Sequence, residues 1–221
     1  MDTSIDDPAY RAAVTDLLGV LAYGELSASL RMAADGVLAP SLAIQAGIAR
    51  LAAADYRHYE VLVGRMQDLG IDAEAAMQPF VAPFTGFHER TRPNDWLEGL
   101  TKAYIGDGIA RDFYQEMAAF VDDGTREIMA TALDSQAASD FIVEVVTAAI
   151  KLDNTASGRL ALWGRRLLGE ALSNGQLVAA ERDALAGLLV GSGADLTQVG
   201  QMFERLQQRH QARMARLGLQ A

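Results

Sequence analysis

Four long apolar stripes at helical spacing run through this chain, and each carries an acidic residue where a core residue belongs. Val14, Leu18, Leu21, Ala28 and Met32 share one face of a helix predicted from about Pro8 to Ala34, and Glu25 lies on that face. A second helix, from about Ser41 to Leu69, aligns Ile44, Ile48, Leu51, Leu62, Met66 and Leu69 around Asp55 and His58, with Gly70 as its stop. The third, from about Asp95 to Phe120, sets Asp107 among Trp96, Leu100, Ala103, Ala110, Tyr114 and Met117. The fourth, from about Thr125 to Lys151, sets Asp134 among Ala130, Ala137, Phe141, Val145 and Ala148. A carboxylate in a dry core costs more than its apolar neighbours return, so several of them at mid-helix point to a metal, a shared proton or trapped water.

The stripes imply an all-α chain. Its five prolines flank the helical patterns, and residues that favour helix make up most of the rest. Between the second and third helices, residues 71–94 carry Pro79, Pro83 and Pro93 around Phe80, Phe84 and Phe87. This reads as a long crossing segment whose aromatics cap the bundle. Two short turns and one long crossing give a four-helix bundle with one crossover. Arg159–Val190 and Asp195–Leu217 read as two further helices packed outside it and anchored by Trp163. The chain of 221 residues is thus expected to form one domain, with a core bundle over 8–151 and a C-terminal addition over 159–217.

Charge and composition narrow the partners. Without cysteine there is no disulfide framework or thiolate ligand. No charged leader with an apolar run is evident and no apolar run reaches a membrane-spanning length, so a cytoplasmic protein is expected. A net charge of −10 repels phosphate backbones on average. Arg205, Arg209, Arg213 and Arg216 form a local exception near the C-terminus. They either complement the dipole of the last helix or meet an anionic partner.

Asp55 and His58 are three residues apart, so adjacent turns of one helix can aim both at one ion. His58 can equally hydrogen-bond Asp55 within the core. Asp107 lies between Gly106 and Gly108, where a local gap would accommodate it without metal, and Asp112 and Glu116 offer other registers. Asp112 can also pair with an arginine, and Asp134 can cap or interrupt a helix. Inward carboxylates on four helices are a common means of holding two hard cations, because they bridge the ions and neutralise their charge.

The segments LAYGELSA (21–28), ADYRHYE (54–60), PFVAPFTGFHERTRPNDWLEGLTKAYIGDGIARDFY (79–114) and LALWGRRLLGEAL (160–172) resemble ferritin-like proteins related to tRNA-(2-methylthio-N6-isopentenyladenosine) hydroxylase. The resemblance implies a ferritin-like bundle with a non-haem di-iron centre. Carried over, Glu25 matches the ligand of the first helix, Asp55 and His58 the acid-x-x-His pair of the second, Asp107 the acid of the third and Asp134 the acid of the fourth. The implied chemistry is dioxygen activation followed by hydroxylation of an aliphatic carbon. Two departures bear on it: Asp55 replaces a longer Glu, and Ala137 stands where a second histidine is expected. The expectation is a metal-binding, hydroxylase-like protein with one or two irons, acting on tRNA or on a small aliphatic or nucleoside substrate. The alternative is a metal-free, non-catalytic structural or interaction protein. Apolar helices beyond the bundle suggest a homodimer.

Overall fold

The computed structural model describes residues 5–132, 136–190 and 196–220. Ten α-helices and no β-strand occur among them: α1 (Pro8–Asp35), α2 (Leu42–Asp68), α3 (Ala73–Met77), α4 (Val81–Arg90), α5 (Trp96–Met117), α6 (Asp123–Ala132), α7 (Gln136–Leu152), α8 (Asn154–Glu181), α9 (Asp183–Val190) and α10 (Leu196–Arg216). No described helix is long and apolar enough to cross a membrane.

Helix starts follow local chemistry. Asp7 accepts from the backbone N–H groups of Ala9 and Tyr10, with Pro8 in the first turn. Ser41 caps α2 through Ile44, Asp95 caps α5 through Glu98 and Asp153 caps α8 through Thr155. Gly70, with φ of 63°, ends the first hairpin in the left-handed region that favours glycine. Residues 71–94 cross the bundle as α3, a 3-10 turn over Gln78–Phe80, and α4. Gly19 admits this crossing, since a Cβ there would lie 2.2 Å from the carbonyl oxygen of Ala76.

Over the span of the predicted fourth helix the described residues form α6 and α7, on either side of 133–135. α6 packs on α2 while α7 packs on α5 and α8, so the two serve different neighbours. Residues 133–135, including Asp134, lie outside the described residues. The gap expected between Lys151 and Arg159 is shorter, because the Asp153 cap restarts a helix at once and draws Ser157 and Gly158 into α8. The predicted 159–190 helix divides at Arg182.

Two apolar cores result. The first joins Leu17, Leu18 and Leu21 of α1 with Leu62 and Met66 of α2, Met117 of α5 and Met129 of α6, and it takes in Leu185 and Leu188 of α9. The second joins Ile48 and Leu51 of α2 with Leu100 and Ile105 of α5, Ile142 and Val146 of α7, Leu160 and Leu167 of α8 and Met214 of α10. Trp163 belongs to this second core, where its indole N–H donates to the carbonyl of Glu98 at 3.0 Å. The C-terminal helices therefore supply core residues to both halves, whereas the sequence pattern placed them outside the bundle.

Candidate metal centre

The two cores meet at the middles of α1, α2 and α5. Asp55 lies between Leu51 of the second core and Leu62 of the first, and Asp107 between Ile105 of the second and Tyr114 of the first. At this seam a cavity of about 550 Å³ opens, walled chiefly by apolar side chains, among them Leu21, Phe84, Leu100 and Phe113. Glu25, Asp55, His58 and Asp107 all line it.

Glu25, Asp55 and His58 each place one ligand atom within 4.8 Å of the others, the one such group among the described residues. His58 Nδ1 lies 3.4 Å from Glu25 Oε2. The imidazole thus meets Glu25 of the neighbouring helix, where sequence spacing alone left Asp55 as its partner. Burial raises the pKa of Glu25 against the lowering effect of His58. Burial, with the charges of Glu25 and Asp107, pushes Asp55 up to about 8. Acids held this way gain from a cation that neutralises them. Two carboxylates and one imidazole suit a divalent first-row metal such as iron or manganese, so the residues present fit one ion.

Asp107 faces the same cavity but stands outside this group. Its Oδ2 accepts from Arg111 at 2.8 Å, an i, i+4 pair on α5. The alternative registers on α5 resolve as structural ion pairs: Asp112 meets Arg213, and Glu116 meets Arg205 and Arg209. Arg216 pairs with Asp140. The arginines of α10 therefore tie that helix to α5 and α7. Tyr114, buried beside the acids, has its pKa raised well above the ordinary phenol value by burial first and by Glu25 and Asp107 next.

A second polar group lines the cavity and was not read from the sequence. His88 Nε2 lies 3.2 Å from Ser27 Oγ, and its buried Nδ1 has no hydrogen-bond partner. Burial, reinforced by Lys102 and Arg31, lowers the pKa of His88 to about 3, so the ring is neutral. Lys102 donates to the carbonyl of Thr91 at 2.8 Å, and burial lowers its pKa to about 8. Arg31 lies six residues beyond Glu25 on α1, about 9 Å along the helix. The available signal was that His88 extends the Phe84 face of the crossing segment and that Lys102 falls between Gly99 and Gly106 on α5. His210 is buried in α10 and does not line this cavity.

Residues 8–192 match the family described as "Ferritin-like domain, actinomycetes". No curated protein matches the chain. Among solved structures, the chain is similar to protein 19 with aldehyde deformylating oxidase activity from Synechococcus, at 19% identity and a TM-score of 0.75, over 99% of this chain and 95% of that one. That likeness concerns the fold: an all-α, ferritin-like multi-helix bundle.

Proposed function

The chain belongs to the ferritin-like domain family of actinomycetes, and from that premise we propose that it is a metal-dependent oxidoreductase acting on a small, largely apolar substrate. The observation that carries this reading is the opening of the Glu25, Asp55 and His58 group into an apolar cavity of about 550 Å³. Those three residues would hold the metal, with Asp107 the nearest further carboxylate on α5 and Asp134 the remaining ligand suggested by the sequence. Bound iron supplies the redox capacity to use dioxygen. Asp55 holds a proton in the metal-free protein near neutral pH and must release it to coordinate. Glu25 Oε2, 3.4 Å from His58 Nδ1, restrains the orientation of its ring. Leu21, Phe84 and Phe113 exclude water beside the acids, while His88 and Lys102 can orient a polar group of the substrate away from them.

The activity of the Synechococcus protein makes an aliphatic aldehyde the first probe. The finer reading, a tRNA-modifying hydroxylase, is less favoured because Arg205, Arg209, Arg213, Arg216 and Arg159 all engage acids of the same chain. A non-catalytic bundle is the rival, favoured by the absence of a donor at Ala137 and by the hold of Arg111 on Asp107. Anaerobic loading with ferrous ion, followed by oxygen and a reductant with an aliphatic aldehyde, tests the choice. Iron-dependent oxygen consumption and aldehyde conversion, both lost in Glu25→Ala, are expected. Iron binding without either would support the rival. A homodimer remains part of the proposal, supported by exposed Val37, Leu38 and Leu42 around the α1–α2 turn. A single 23.7 kDa species by sedimentation at two concentrations would contradict it.

A further inference from the structure

Adjoining the larger cavity lies a smaller recess of about 210 Å³, set between α5, α7 and α10. Four guanidinium groups converge on it, from Arg111 of α5 and Arg209, Arg213 and Arg216 of α10, together with Tyr104 and Ser139. Among the described residues no carboxylate lines it. The acids that pair with these arginines, Asp107, Glu116, Asp112 and Asp140, are not among its lining residues.

Donor atoms are left over. Arg213 has a side chain only 10% exposed, and its Nη1 is buried with no hydrogen-bond partner while its Nη2 serves Asp112. Arg111 uses Nη2 on Asp107, and its buried Nε has no hydrogen-bond partner. Buried donors left in this condition are uncommon in folded proteins, and two of them belong to arginines that line this one recess. Guanidinium groups present planar pairs of N–H donors that match the oxygens of an oxyanion.

We propose that this recess is a binding site for a compact phosphate-type oxyanion, either inorganic phosphate or the phosphate group of a small monoester. Its size and its acidic surroundings select one such group over a nucleic-acid backbone, which needs an extended and accessible row of cations. Tyr104 and Ser139 also line the larger cavity, so the two sites share a wall. The recess stands without reference to any metal.

Titration of the full-length protein with inorganic phosphate, at constant ionic strength and followed calorimetrically, tests the assignment. Saturable binding of one phosphate per chain is expected, with glycerol phosphate competing if the site takes monoesters and failing to compete if it is confined to the free ion. Arg213→Gln should weaken binding by at least about tenfold. Arg216→Gln provides a second variant whose pair is half exposed and whose loss leaves the core untouched; it should also weaken binding. Arg205→Gln removes a cation that does not line the recess and should leave binding unchanged. Unsaturable binding, or equal binding by parent, Arg213→Gln and Arg216→Gln, would overturn the proposal. Binding of a single-stranded RNA oligonucleotide without binding of phosphate would overturn it as well.

Discussion

Two polar clusters span the same pair of helices and are solved in opposite ways. Near the start of α1, Tyr10 donates to Asp122 at 2.8 Å, and its hydroxyl accepts from the Asp122 N–H. Asp122 also accepts from Arg65 of α2 and from both the N–H and the hydroxyl of Thr125. Burial alone would raise the pKa of Asp122, but these hydrogen bonds and the Arg65 charge outweigh it and hold the carboxyl below its ordinary value. Fifteen residues further along α1, about 22 Å, Glu25 faces His58 while Asp55 faces the charges of Glu25 and Asp107, and burial raises the pKa of both acids. The first cluster is complete within the chain. The second is left in a condition that a cation relieves, which is why the centre, and not the better connected end, reads as the functional site.

Asp122→Ala gives the largest expected effect on folding. It removes the acceptor at the start of α6 and strands the partly buried Tyr10 hydroxyl and the Arg65 guanidinium, a loss on the order of 2 to 4 kcal/mol by urea unfolding. Tyr10→Phe should cost about 1 to 2 kcal/mol in the same assay. At the centre the sign should reverse. Asp55→Asn, measured in chelator at mildly alkaline pH, should leave stability unchanged or raise it by about 1 kcal/mol, because it removes a buried charge with no compensating cation. A large loss of stability there would make Asp55 a structural residue and break the contrast.

The smallest effect expected is one of pH. Asp122 has a folded pKa below its unfolded value of about 3.9, so its contribution is present above that value and is lost as pH falls through the lowered folded pKa. The stability gap between the parent and Asp122→Asn should therefore be steady at neutral pH and narrow on acidification, by about 1 kcal/mol. A gap that widens on acidification would contradict the assignment.

Much of this architecture was legible in the sequence because helical periodicity reports burial directly. The α1 stripe put Glu25 inward, the α2 stripe put Asp55 and His58 at its middle, and Gly70 marked the hairpin turn. Periodicity does not report which helix faces which. The Glu25 partnership of His58 depends on register between neighbours, and Asp112 and Glu116 were indistinguishable from ligands until the arginines of α10 were placed. Asp16, which pairs with Arg182 across the fold, was hidden for the same reason. His88 and Lys102 escaped because each lies on a segment read for its aromatics or its acid.

The metal-dependent reading rests on one ion binding at Glu25, Asp55 and His58. Anaerobic calorimetric titration of the parent and His58→Ala with manganous ion tests it most directly. Saturable binding is expected in the parent, with a loss of affinity of at least about tenfold in His58→Ala and helical content unchanged. Equally weak or equally tight binding by the two proteins would contradict it.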